Sequence, residues 1–154
     1  LGHEAGQVIT TGSNNTLLGY AATPSGATVS NQFTLGNSAV SSLRCQVQTI
    51  SSLSDARDKT DIVNSPYGLD FIDTLKPRQF KWESREGGVA FEGETKLGFI
   101  AQELLEAADG NNDVLDLVYE ENPDKLEAKY GNLIPVLVKA VQELSDKVKE
   151  LENK

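Results

Sequence analysis

The sequence predicts an α+β chain in three parts: a short β-rich stalk (residues 1–53), a small mixed α/β domain (54–131) and a C-terminal coiled-coil helix (132–154). Three observations carry this. Charge is nearly absent from the first part, where Arg44 and Glu4 are the only charged residues of a chain that holds 14 basic and 23 acidic ones. Apolar and polar residues alternate with period two in Leu43-Arg44-Cys45-Gln46-Val47-Gln48-Thr49, as a strand requires. From Ile134 onward the apolar spacing switches to alternating threes and fours, the heptad of a coiled coil.

In the first part, Gln7-Val8-Ile9-Thr10, Thr16 to Tyr20, Gln32 to Leu35 and Ser42 to Ile50 are β-prone pieces separated by turn residues. There is an internal echo: Thr16-Leu17-Leu18-Gly19 returns 17 residues later as Phe33-Thr34-Leu35-Gly36. Strands this short and polar bury little surface alone. They suit a fibrous stalk in which three chains wrap together. The alternative is a flexible Gly/Ser/Asn linker. His3 is the only histidine and reads as exposed, so no histidine-based triad is expected. Cys45 is the only cysteine; it can form no internal disulfide and reads as a small buried apolar residue.

In the second part, Thr60-Asp61-Ile62-Val63 reads as a short strand. Ser65-Pro66 reads as a helix start, with Ser65 as cap and Pro66 at the first helical position. That helix buries Leu69, Phe71, Ile72 and Leu75 and stops before Pro77. Arg78 to Glu83 alternates strictly and places Phe80 and Trp82 on one face of a strand. Glu86 to Thr95, with Gly87, Gly88 and Gly93, reads as a loop or hairpin. Leu97 to Ala108 reads as a helix. Asp109 to Asp113 resembles a calcium loop but lacks the Glu at its twelfth position, and a plain turn is expected. Val114 to Glu121 reads as a strand, and Asn122-Pro123-Asp124 as a turn.

In the third part, Ile134, Val141 and Val148 occupy heptad position a, and Leu137, Leu144 and Leu151 position d. Pro135 is tolerable only in a first turn, so the helix starts near Asn132. β-branched a with Leu at d suggests a dimer on the simple rule, so the heptads alone do not specify a trimer.

The net charge of −9 argues against nucleic acid and anionic membranes as partners. No apolar run approaches the ~20 residues that span a bilayer. No Cys/His spacing suggests a metal, and no cofactor is expected. The start has no basic and apolar leader, and it opens in mid-pattern without Met, as a piece of a longer chain would.

Candidate chemistry lies in Ser54-Asp55-Ala56-Arg57-Asp58-Lys59. A serine hydroxyl needs a base before it attacks an amide. A lysine serves when its pKa falls well below ~10.4, through burial or a neighbouring cation. Arg57 is such a cation, while Asp55, Asp58 and Asp61 act the other way. A separation of five residues is about 140° round a helix and opposite faces of a strand. Ser54 and Lys59 therefore meet only across a turn or between chains. On the residues alone, a solvated charged turn is the competing reading.

The pattern Ser54-Asp55-x-Arg57-x-Lys59-x-Asp61-Ile62 resembles the signature of the endosialidase-type intramolecular chaperone family. These are self-cleaving Ser–Lys C-terminal domains of phage tail spikes, tail fibres and neck appendages. The resemblance continues through Leu75-Lys76-Pro77-x-x-Phe80-x-Trp82, through Leu97-Gly98-Phe99-Ile100-Ala101-Gln102-Glu103, and through Tyr130-Gly131-Asn132-Leu133-Ile134-Pro135-Val136-Leu137 into Val138 to Leu144. It thus spans residues 54–154. Each block alone is weak; the four in order are specific. A related cleavage domain occurs in the eukaryotic myelin regulatory factor family, but the Gly/Asn-rich upstream part looks like phage fibre.

The resemblance implies an intertwined homotrimer that helps the upstream fibre or spike to fold in register and is then released. It implies a single-turnover serine peptidase that cuts its own chain between Leu53 and Ser54. Ser54 is then the nucleophile and Lys59 the general base. Asp55 and Arg57 have supporting roles, Asp55 anchoring the turn and Arg57 tuning Lys59 or closing an ion pair. The implied partners are further copies of the chain and the upstream domains of the same polypeptide. The implied location is the host cytoplasm during phage assembly, the fibre ending in the virion tail. Two other readings are a non-cleaving trimerisation domain and a host-binding fibre tip, for which Tyr20 and Phe33 are the available aromatics.

Overall fold

The structure is a computed structural model that describes residues 1–47, 49–85 and 90–154. The chain forms two compact units, each from two stretches: Leu1–Ser41 with Leu75–Asn132, and Ser42–Thr74 with Leu133–Lys154.

In the first unit, β1 (Thr16–Leu18) and β2 (Phe33–Leu35) pair in parallel, Thr16 opposite Phe33 and Leu18 opposite Leu35. The partners are 17 residues apart, which is the spacing of the sequence echo. Side chains keep the same offset. Asn14 Nδ2 donates to Asn31 Oδ1 at 2.7 Å, Ser13 N to Ser30 Oγ at 2.9 Å, and Thr10 Oγ1 to Ala27 O at 3.2 Å. Left-handed backbone recurs in phase, at Asn14 and Asn31 (φ 55° and 63°) and at Glu4 and Ala21 (φ 61° and 49°). Leu1 O and His3 O accept from Gly19 N and Ala21 N, both at 2.9 Å. Residues 1–41 are therefore successive 17-residue coils stacked in register. Gly19 allows the stacking: its φ is 119°, and a Cβ there would lie 3.1 Å from Gly36 Cα. Leu17, Ala22 and Val29 are buried. Within the chain these short strands pair with one another, one coil on the next. Gln7 to Thr10 forms turns, not a strand. His3 is exposed and stacks on Tyr20, with centroids 5.8 Å apart.

The rest of this unit begins with β3 (Arg78–Lys81), which runs antiparallel to β4 (Thr95–Gly98). Phe80 and Trp82 meet edge to face at 5.7 Å, as the alternation implies. The expected hairpin is present; Glu86, Gly87, Gly88 and Val89 of it lie outside the described residues. Leu97 is a correction: it lies on β4 and is exposed, and the helix expected from it, α2, spans only Ala101–Ala108. The ladder to β3 claims this backbone. Tyr130 Oη also stands where a Gly98 Cβ would be, 2.5 Å away.

Helix α2 buries Leu104 and Ala108 and ends in left-handed backbone at Asp109. The Asn111 amide donates to Ala108 O and Asp109 O, which makes this stretch a plain turn. The strand expected at Val114–Glu121 is a second correction. Its first residues belong to α3 (Asn112–Leu115), and β5 is only Val118–Tyr119, paired with β6 (Glu127–Ala128). Asn112 Oδ1 accepts from both Leu117 N and Val118 N at 3.0 Å and folds the chain there. The turn at Asn122 is as expected, with Lys125 N donating to Asn122 O at 2.9 Å. Leu115, Leu117 and Val118 complete the local core.

In the second unit, α1 (Leu69–Ile72) is shorter than expected and is capped by Gly68, not Ser65. Ser65 Oγ accepts from Tyr67 N at 3.1 Å, a local turn that competes with helix. The α1 start is held instead by Glu143, whose carboxylate accepts from Leu69 N at 2.7 Å. That bond holds the Glu143 carboxyl below its ordinary range. Among the described residues neither Ser42–Ile50 (of which Gln48 lies outside them) nor Thr60–Val63 forms a strand. Cys45 is exposed, not buried, because no element covers this extended stretch; its thiol donates to Val47 O at 2.6 Å.

Helix α4 (Leu133–Glu152) carries Pro135 in its first turn. Leu133, Val136 and Ala140 are buried, while all six heptad residues, Ile134, Leu137, Val141, Leu144, Val148 and Leu151, are exposed. No helix among the described residues is long and apolar enough to cross a membrane.

Candidate active site

Ser54 and Lys59 meet across one 3-10 turn, Ala56–Asp58. Both flanks are extended, with Asp55 at φ −70°, ψ 134° and Lys59 at φ −131°, ψ 145°. Asp58 N donates to Asp55 O and Lys59 N to Ala56 O, each at 3.2 Å. Extended backbone on both sides of a tight turn brings together side chains that neither a helix nor a strand would. Lys59 Nζ donates to Ser54 Oγ at 2.6 Å. Within the single chain, the turn is the route by which the two side chains meet.

Asp55 holds the turn. Its Oδ1 accepts from Arg57 N at 2.9 Å, the N-cap bond, and from Arg57 Nε at 3.0 Å; its Oδ2 accepts from Arg57 Nη2 at 2.5 Å. The guanidinium first, and then the Arg57 N–H, hold the Asp55 carboxyl below its ordinary value. The side-chain bond to the Asp55 carboxylate raises the Arg57 guanidinium in turn. Arg57 is thus engaged in an ion pair with Asp55. Asp61, two residues past Lys59, is left-handed at φ 52° and accepts from Thr60 Oγ1 at 3.2 Å.

Every described residue from Ser42 to Pro66 is exposed, so serine and lysine both stand in water. The apolar residues around them are equally bare: Leu53 is 100% exposed, Ile62 71% and Val63 83%. A hydroxyl and an amine at hydrogen-bond distance, directly after a peptide bond, are the elements of a Ser–Lys nucleophile. Among the described residues no cluster of three or more His, Cys, Asp or Glu is placed to hold a metal.

Residues 54–114 match the family model described as chaperone of endosialidase. This segment is an endosialidase-type intramolecular chaperone domain. The match opens on Ser54, takes in the turn, β3 and α2, and ends at Val114. It stops short of the Tyr130 to Leu144 block, which the resemblance read from the sequence had included. No curated protein and no solved structure matches the chain.

Within the chaperone domain, Gly98 has a role that its motif does not explain: it admits Tyr130, whose hydroxyl accepts from Phe99 N at 3.0 Å. Glu143, which starts α1, lies outside the matched segment and carries no local signal, because its partner is 74 residues away. Arg78 and Glu103 form a bidentate pair at 2.9 and 2.5 Å that joins β3 to α2 and lowers the Glu103 carboxyl.

Proposed function

We propose that the chain is the self-releasing, trimerisation-directing chaperone end of a phage tail fibre or spike, cutting itself between Leu53 and Ser54. The observation that carries this is the 2.6 Å contact of Lys59 Nζ with Ser54 Oγ at the first residue of the matched chaperone segment. Ser54 Oγ attacks the Leu53 carbonyl carbon while its proton passes to a neutral Lys59 amine. The Leu53–Ser54 C–N bond breaks, the Ser54 nitrogen takes a proton, and Leu53 becomes an ester on Ser54 Oγ. Water then hydrolyses that ester, leaving a carboxylate on Leu53 and the serine hydroxyl restored. The attack closes a five-membered ring, an N-to-O acyl shift. The turn set by Asp55 and Arg57 positions both groups.

An ammonium must lose its proton before it can accept one, and burial disfavours the charged form. Leu53, Ile62 and Val63 offer the apolar surface by which neighbouring copies would cover and dry the dyad. Cleavage would then follow assembly and act as a checkpoint. The bare heptad stripe of α4 is the seam along which three copies would join. Joining three chain ends raises their effective concentration and holds the 17-residue coils in register, where slippage between similar repeats is the hazard. Cutting afterwards removes the route back and traps the fibre kinetically.

The test is the mass of freshly made protein. The intact chain is 16.6 kDa. The wild type should give two fragments that meet at Leu53–Ser54, whereas Ser54→Ala and Lys59→Ala should each stay whole. A wild type that remains whole as an assembled oligomer would favour the second reading, a trimerisation domain that does not cut. The exposure of both Ser54 and Lys59 in the single chain speaks for that reading.

A further inference from the structure

We infer that cutting Leu53–Ser54 does not part the two products, because the β5–β6 hairpin of the downstream part is a docking surface that retains the upstream coils. This rests on the cleavage proposed above and concerns the fate of its products. The compact units do not divide where the chain is cut. The scissile bond lies in the unit made of Ser42–Thr74 and Leu133–Lys154. The coils of residues 1–41 belong to the other unit, together with Leu75–Asn132.

The contact that unites them is specific. Gln32 Nε2 donates to Tyr119 Oη on β5 at 2.6 Å and to Ser25 Oγ at 2.6 Å, while Gln32 Oε1 accepts from Ser25 N at 2.8 Å. The Gln32 amide is thereby locked in the orientation that meets Tyr119. At the hairpin turn, Asn122 Nδ2 donates to Ser25 O. Asn122 is itself held by its Oδ1, which accepts from Asp124 N at 3.1 Å. A Cβ at Gly26 would lie 3.4 Å from Asn122 Nδ2, so the coil backbone rests directly on this amide. Further along, Ala90 N donates to Ser38 O at 2.8 Å. Pro24 and Val29 are buried beside these bonds. None of the groups lies in residues 42–74, so the cut removes none of them.

The coils hold only one charged residue, Glu4, among residues 1–41, so the attraction rests on neutral hydrogen bonds and packing. It should therefore resist salt, unlike an ion-paired contact. In a trimer, three such contacts would act together. Release of the chaperone then needs a second event that opens the hairpin contact, and cleavage only permits it.

The experiment uses the full chain, with a site-specific protease sequence inserted between Ile50 and Ser51, both exposed. The break can thus be made whether or not the chain cuts itself. Mass spectrometry reports self-cleavage, and native size exclusion after either cut reports retention, so the two ideas fail separately. Both fragments of the wild type should co-elute in low and high salt. Asn122→Asp keeps the acceptor for Asp124 N but turns a carboxylate towards Ser25 O, and Tyr119→Phe removes only the hydroxyl. Together they should weaken retention by at least about tenfold, while the uncut variant keeps its wild-type circular dichroism. The milder Tyr119→Phe alone gives a graded loss if the double variant folds poorly. Immediate separation of the wild-type fragments would overturn the inference, as would undiminished co-elution of the well-folded variants.

Discussion

Asp55 makes three bonds to Arg57 and in doing so sets the turn on which Ser54 and Lys59 meet. Cleavage rates should therefore fall in the order wild type, Asp55→Asn, Asp55→Ala, by several-fold at each step. Asn keeps an acceptor for the Arg57 N–H but loses the ion pair, and Ala loses both. The folded Asp55 carboxyl titrates below its ordinary value of 3.8. Its contribution to the turn is thus complete above that value and disappears as pH falls through the lower folded value. A carbon-13 titration of Asp55 in the uncut Ser54→Ala chain should show a midpoint below 3.8; a midpoint at or above it would mean that the turn does not form in solution. Ser54 and Lys59 were legible in the sequence as candidates because they sit in a short motif. Their meeting was not, because five residues is the wrong interval for regular structure, and only the backbone angles of Asp55 and Lys59 resolve it.

The 17-residue coil is the element on which the upstream part is built, and glycines mark where its layers touch. A Cβ at Gly12 would lie 2.1 Å from the backbone oxygen of Val29 in the next coil. Backbone cannot swing aside, so Gly12→Ala should cost about 1–3 kcal/mol. Gly131 has nothing within 4 Å of its Cβ position, so Gly131→Ala should stay within about 0.5 kcal/mol and serve as control. Thermal denaturation of the two variants, both carrying Ser54→Ala, compares them. The coil repeat was visible as an echo of Leu-Gly pairs, and Phe80 with Trp82 as an alternation. Helix ends were harder to read. Leu97 fits an amphipathic stripe, yet it joins β4 because β3 offers backbone partners there. Ser65-Pro66 has the composition of a helix start, but the cap that decides α1 comes from Glu143.

At the scale of the whole molecule, the proposed assembly places the six bare heptad residues of α4 between copies of the chain. Val141→Lys with Leu144→Lys should turn the oligomer into monomer, as read by light scattering. If assembly dries the dyad, the same variant should also lose self-cleavage although Ser54 and Lys59 are untouched. A monomer that still cut at the wild-type rate would separate assembly from catalysis. The sequence by itself determined the change of character at residue 54, the Ser–Lys pair, the coil repeat and the heptad, since each is a local pattern of neighbouring side chains. Only the tertiary structure decided that successive coils pair in parallel with a 17-residue offset and that a capped 3-10 turn brings Ser54 and Lys59 together. It alone put the coils and the β5–β6 hairpin in one compact unit across the proposed cut. Those outcomes depend on bonds such as Gln32 to Tyr119 and Asn122 to Ser25, whose partners are 87 and 97 residues apart. Short-range preference carries no information about such pairs; the packed chain selects them by which donors and acceptors it brings within reach.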